Sequence, residues 1–284
     1  MRIGRFLIEQ LSEGLFEVFH NGAFQKIKDE RRQASSELGD SVSRLTGIDP
    51  ILVKDDQFTL LLEAGIGLGL DSNSKHQGTS NVASNLDIFD LRSADIDLIV
   101  LTHLHYDHAA GLTRINKHVD TEPVFANTPI VVQKSEWDYA VEQCYSRMDQ
   151  PNMDDFGYNL DELLRLKAKG IIRFIEDDVM EIIPGITAIK TGGHTPGHQI
   201  IKISDADETA YYLGDLLPDE HHLNQYAMFD QDVEPMEARK AKNRWLKRAH
   251  REQAALLFYH SLHQKWGHIT RDSNHHFTLS SRTD

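Results

Sequence analysis

Apolar residues recur along the chain in two rhythms, one of strands and one of helices. Short runs rich in β-branched and aromatic residues, "FEVFHNG", "PILVKDD" and "FTLLLEAG", read as early strands. The last two form a hairpin that turns over residues 54–57. "DLIVLTH" reads as a buried strand leading into a helix from about Asp107, and "PIVVQKSEW" as a strand leading into a helix over residues 136–148. "NLDELLRLKAKG" has helical spacing, with Asn159 as its N-cap and Gly170 as its stop. Strands return in "IIRFIED", "ITAIKTGGH", "QIIKISD" and "TAYYLGD", and a long helix over residues 235–253 precedes a last strand, "AALLFYH".

The strands thus fall into two sets, one before about residue 135 and one after about residue 171, with helices between. No Gly-, Pro- or Ser-rich linker separates them. The pattern predicts one α/β domain over residues 1–272, built of two packed sheets flanked by helices. The helical insertion at about 135–170 is a candidate lid or oligomer contact, and a homodimer the candidate assembly. The polar tail, 273–284, is expected to be ordered only in part. At the N-terminus Glu9 and Glu13 interrupt the apolar residues, so the segment reads as the first strands rather than a signal peptide.

Composition narrows the function classes. The 284 residues are 40% hydrophobic and 26% charged, ordinary for a globular protein that buries a core. No run approaches the ~18 apolar residues of a membrane span. Cys144 is the only cysteine, which rules out an internal disulfide and fits a reducing cytoplasm. A net charge of −14 argues against a nucleic-acid substrate and for a small molecule. The one basic cluster, "ARKAKNRWLKRAHR" (238–251), reads as a solvated helix face. "GIGLGL" (65–70) lacks the spacing of a dinucleotide loop and reads as a turn.

The chemistry sits where strands end. "DLIVLTH" ends in His103, followed by His105, Asp107 and His108; "ITAIKTGGH" ends in His194, with His198 four residues on. "TAYYLGD" ends in Asp215 and "AALLFYH" in His260, with His263 close behind as an alternative. A core has no use for these groups, and burying each without a partner costs roughly 1–3 kcal/mol. Ligation of a divalent metal removes that cost. His103 and His105 share a face of an extended segment, while Asp107 and His108 point elsewhere as the chain turns. One loop can therefore supply two metals, and the two oxygens of Asp215 can bridge them.

With these residues in view, the sequence resembles the metallo-β-lactamase superfamily. "THLHYDH" matches the family's HxHxDH signature, "GGHTPGH" its second histidine motif, "YLGD" its bridging aspartate and "LLFYH" its last metal histidine. The resemblance runs from about Pro50 to Trp266 and implies an αββα sandwich of two mixed β-sheets. It implies His103, His105 and His194 on one metal, Asp107, His108 and His260 on the other, and Asp215 between them. It also favours His260 over His263, and places His198 beside the ligands rather than among them. Two zinc ions are the expected cofactors, with iron, manganese or cobalt as alternatives.

Within the superfamily the chain is most similar to lactonase-like hydrolases, which include N-acyl-homoserine lactonases. "DPILVKDDQFTLLLEAGIG", "VVQKSEW", "GDLLPDEHH" and "AMFDQDVEP" carry this likeness. It departs in three places. Pro218 stands where the lactonases have a tyrosine, Glu63 where an aspartate is usual, and Ser261 where an aspartate commonly follows the last histidine. The resemblance implies a hydrolase that activates water, with Asp107 orienting it, and opens a lactone or similar ester. Since proline donates no hydrogen bond, His222, rather than its neighbour His221, is the candidate donor or acid. Thioester and phosphodiester hydrolysis are the alternatives at the same site, and a non-catalytic binding protein is a third reading. The flavodiiron oxidoreductases carry Glu where this chain has His105, which argues against redox chemistry.

Overall fold

The computed structural model describes residues 1–19, 24–26, 42–147 and 157–280. In its first half β1 (Arg2–Ile3) and β2 (Phe6–Gln10) make a hairpin, and β3 (Gly14–Phe19), β4 (Phe24–Lys26) and β5 (Val42–Ile48) form a small sheet of their own. The expected hairpin is present as β6 (Ile51–Lys54) and β7 (Thr59–Leu62), with Ile51 opposite Leu62 and Lys54 opposite Thr59. Asp55 shapes its turn by accepting from the backbone N–H groups of Gln57 and Phe58, both at 2.8 Å. Helix α1 (Val82–Leu86), strand β8 (Leu98–Val100), helix α2 (Tyr106–Ala109) and the pair β9 (Thr113–Ile115) and β10 (Thr121–Pro123) follow. Then come β11 (Ile130–Gln133), α3 (Lys134–Arg147), α4 (Leu160–Ala168) and β12 (Ile172–Ile175). The first large sheet has the order β1-β2-β6-β7-β8-β11-β12, and its last four strands are parallel.

The second sheet is assembled from β13 (Val179–Ile183), β14 (Ile186–Lys190), β15 (Gln199–Asp205), β16 (Glu208–Tyr212), β17 (Ala255–Leu257), β18 (Trp266–Arg271) and β19 (Phe277–Ser280), in that order. Helix α5 (Pro235–Arg251) makes the crossover between the parallel neighbours β16 and β17. Its first residue is a proline, whose missing N–H costs nothing there.

Strand alternation sorts the side chains into layers. Leu60, Leu62, Leu98 and Val100 of the first sheet meet Ile201, Ile203, Ala210 and Tyr212 of the second in one buried cluster. The intervening Leu61, Ile99 and Val132 face outward and are covered by Val82 of α1, Trp137 of α3 and Leu163 of α4. On the other side Ile200, Tyr211 and Leu256 are covered by Ala241, Trp245 and Leu246 of α5. The layers are helix, sheet, sheet, helix.

Some expectations need adjusting. The helix foreseen from Asp107 is only one turn long. The Gly111 backbone N–H donates to the Gly65 carbonyl at 2.9 Å instead of back along the helix, at a close approach to Ala64 that only glycine allows, a Cβ there standing 2.0 Å from the Ala64 carbonyl oxygen. The last strand is not "AALLFYH": β18 and β19 follow β17, and β19 lies within the polar tail. These strands and β13 lie at or near the sheet's edges, where part-exposed residues blur the apolar signal. Residues 148–156, including the end of the foreseen helix, and 281–284 lie outside the described residues.

Candidate metal centre

Strands β14, β16 and β17 run in the same direction, so the loops after them leave from one edge of the second sheet. The loop after β8 meets them there. It brings together two groups of donors, His103, His105, His194 and Asp215 in one and Asp107, His108 and His260 in the other. Within each group the ligand atoms lie within 4.8 Å of one another. All of these residues are buried except His105, which is partly exposed.

In the first group His105 Nδ1 lies 2.9 Å from His103 Nε2 and 3.1 Å from His194 Nε2. Asp215 Oδ2 is 3.5 Å from His194 Nε2. The other oxygen, Oδ1, is 3.3 Å from both His108 Nε2 and His260 Nε2. Asp107 Oδ2 closes the second group, 3.4 Å from His260 Nε2 and 3.9 Å from His108 Nε2. One carboxylate therefore faces both groups, an oxygen to each.

The backs of the rings set which nitrogen faces in. Asp232 Oδ1 accepts from His194 Nδ1 at 3.0 Å, and the Gly47 carbonyl accepts from His260 Nδ1 at 2.8 Å. Thr102 gives its hydroxyl hydrogen to Glu63 at 2.6 Å, so its oxygen is left to accept from His103 Nδ1 at 2.9 Å. Each arrangement leaves a bare Nε2 lone pair aimed at the centre. Burial, reinforced by neighbouring histidines, holds His103 and His105 well below the usual imidazole range and so neutral. Burial would do the same to His108, but the carboxylates of Asp215, Asp107 and Glu63 outweigh it and push that ring well up. Burial raises Asp215, yet His260 and His108 more than reverse this and keep it ionised.

The donor set fits divalent metal. His108 Nε2, His260 Nε2 and Asp215 Oδ1 are buried without a hydrogen-bond partner, as befits ligand atoms aimed at a common point rather than at one another. Donors about 2.0–2.1 Å from a tetrahedral zinc ion sit roughly 3.3–3.4 Å apart, close to the spacings here. His198 belongs to neither group; its Nδ1 is paired with Thr191 at 2.8 Å. His263 is exposed and outside both groups as well.

His222 touches the centre only through another ring. Its Nδ1 lies 2.7 Å from Asp219, and it meets Phe229 edge-on at 5.6 Å between centroids. Phe229 in turn stacks on His194, also at 5.6 Å. His221 is exposed. Pro218 has a structural use, since its carbonyl accepts from the His260 backbone N–H at 3.0 Å.

Glu136 and Asp232 are supports that sequence reading did not single out. Glu136, fully buried, accepts from the Leu104 backbone N–H at 3.0 Å and from the Thr195 hydroxyl at 2.5 Å. It ties the two histidine loops together. Its only sequence signal is an acid in the first turn of a helix, which is common for other reasons.

A model of the metallo-beta-lactamase superfamily matches residues 45–260. The chain belongs to the metallo-beta-lactamase superfamily. An N-acyl homoserine lactonase of Bacillus sp. is 27% identical over 179 residues, which cover 61% of this chain and 59% of that one. One from Bacillus thuringiensis is 31% identical over 109 residues, 38% of this chain and 33% of that one. The match thus spans about three fifths or less of these curated relatives. Among solved structures, a probable metal-dependent hydrolase from Staphylococcus aureus superposes with a TM-score of 0.73 at 25% identity, covering 100% of this chain and 99% of its own. AidC, a dizinc quorum-quenching lactonase solved with its product, gives 0.71 at 20% identity, covering 100% and 97%; this likeness is one of fold. Among the described residues of this superfamily member, no helix is long and apolar enough to cross a membrane.

Proposed function

We propose that this protein is a dinuclear-metal hydrolase that opens lactones or related small esters. The observation that carries the reading is Asp215, one oxygen 3.5 Å from His194 Nε2 and the other 3.3 Å from His108 and His260 Nε2. The similarity to N-acyl homoserine lactonases supports the substrate class. His103, His105 and His194 would hold one ion, Asp107, His108 and His260 the second, and Asp215 would be shared. Such a pair supplies Lewis acidity, acidifying water and polarising the scissile carbonyl.

The chain's own groups do the rest. Asp107 is fixed through its backbone, whose carbonyl accepts from the Tyr259 hydroxyl at 2.7 Å. Its carboxylate orients the attacking water, takes its proton and passes it to the departing alkoxide as the ester C–O bond breaks. A carboxylate and an alcohol result, joined in one product when the substrate is a lactone. Phe229 shields the His194 side of the centre from bulk water. His222, oriented by Asp219, serves as the additional donor that Pro218 cannot be.

The test is to load the purified protein with zinc and screen it against lactones, thioesters, phosphodiesters and β-lactams. Preferential turnover of lactones supports the reading. Preference for a thioester or phosphodiester would reassign the substrate while keeping the centre. Full metal loading without turnover of any of them would point to a binding protein.

A further inference from the structure

Apart from the donor groups, with which they share no residue, α5 and β18 line a concave surface. It is a groove of about 810 Å³, within the roughly 300–1,000 Å³ of small-molecule sites. Arg239, Lys240, Arg244, Lys247, Arg251 and Arg271 line it, and no acidic residue does. On a chain of net charge −14 this is a concentrated reversal of sign.

The cations are not accounted for by the helix that carries them. Lys240, Arg244, Lys247 and Arg251 recur at the spacing of a single helix face, about 16 Å long at roughly 1.5 Å per residue. Like charges three and four residues apart repel and weaken a helix. Lys240 has a local acid, Glu237 at 2.7 Å, but among the described residues no ion pair is found for Arg239, Arg244, Lys247, Arg251 or Arg271. No acid occurs in the sequence between Glu237 and Glu252. Arg271 is held in place, its guanidinium 4.6 Å above the Phe277 ring.

We propose that this groove binds a small polyphosphate anion, several linked phosphates lying along the α5 face. Shape and lining choose this class over others. A flat anionic bilayer makes poor contact with a concave surface, and the apolar face of α5 is buried against the second sheet, so the helix has nothing to insert. Single-stranded nucleic acid is held by stacking on several aromatic rings, whereas this groove is lined by one, the His250 imidazole, which already packs edge-on against Phe277. A row of guanidinium and ammonium groups matches successive phosphates without reading a base. The site is independent of the hydrolase reading, since it shares no residue with the donor groups.

Isothermal titration of the full-length protein with inorganic tripolyphosphate tests this directly, at low salt and again near physiological salt. Wild type should bind one equivalent, more weakly as salt rises. The double variant Arg244→Glu/Lys247→Glu should bind at least tenfold more weakly. Its fold should hold, because each new glutamate faces a cation one helical turn away. Reversal of a distant exposed cation, Lys117→Glu, should change affinity little. Absence of saturable binding overturns the proposal. So does binding that survives the double reversal, which would place the anion elsewhere, the metal centre included. Tighter, reversal-sensitive binding of a DNA duplex or of phosphatidylserine vesicles would also overturn it and assign the surface to those partners.

Discussion

The hydroxyl of Thr195 donates to Glu136 at 2.5 Å, and through this bond the helix after β11 holds the loop of His194 beside the loop of His103 and His105. The carboxylate is completely buried, and burial pushes its pKa up even though Thr195 and two backbone N–H groups favour its charged form. A buried acid of this kind is an organiser. Glu136→Ala leaves the Thr195 hydroxyl and the Leu104 N–H unpaired, and should cost about 2–4 kcal/mol. It should also loosen the first donor group before the second. Denaturant midpoints and metal content per chain check both effects; a variant of unchanged stability and full loading would remove Glu136 from this role.

The last histidine of the centre is open to a simple comparison. His260 is buried within the second donor group and its Nδ1 is fixed by the Gly47 carbonyl, whereas His263 is exposed. His260→Ala should fall to roughly one metal per chain and His263→Ala should keep two. Elemental analysis after dialysis reads the result, and the opposite pattern would exchange the two residues.

Loop 219–232 supplies the third prediction. His222 is held by Asp219 and packs on the ring that covers His194. His222→Ala should lower lactone turnover roughly a hundredfold with metal content unchanged, as expected for loss of a proton donor. His221→Ala should be silent, since that side chain is exposed. Equal rates in both variants would take this loop out of the chemistry.

The same loop carries a pH signature. Lys242 of α5 donates to the carbonyls of Asn224 at 3.0 Å and Ala227 at 2.5 Å, and burial lowers its pKa from 10.5 to about 8. Between those values the unfolded chain binds more protons than the folded one, so this group makes stability rise with pH. Below about 8 both states are protonated and the contribution is flat. Lys242→Met should therefore flatten the rise in stability across pH 8–10 relative to wild type. Parallel pH profiles for the two proteins would contradict the assignment.

How far the sequence foretells this structure depends on where each residue's partner lies. His103, His105, Asp107 and His108 announce themselves because four polar ligand-type groups follow a buried strand with no core use for them. Leu60, Leu61 and Leu62 are legible as a buried strand, but three consecutive leucines do not tell that Leu60 and Leu62 face the second sheet and Leu61 the helices. Asp232 is not, because the histidine it orients is 38 residues away and nothing local marks the pair. Glu63 was visible as a departure from the family pattern, but not its task. Its left-handed backbone, with φ of 63°, turns its side chain toward Thr102 and Tyr212, which only the folded sheets bring near. Strands β18 and β19 are not legible because their half-exposed residues lack an apolar signature.

The proposed chemistry depends above all on Asp215 being shared by two metal ions. The most direct measurement is metal content, by plasma emission after zinc loading and dialysis, for wild type and Asp215→Asn. Wild type should retain close to two zinc ions per chain. Asp215→Asn should fall below one, because losing the carboxylate weakens both donor groups at once. Full dinuclear loading of the variant, or no more than one ion in the wild type, would rule out a carboxylate shared by two ions.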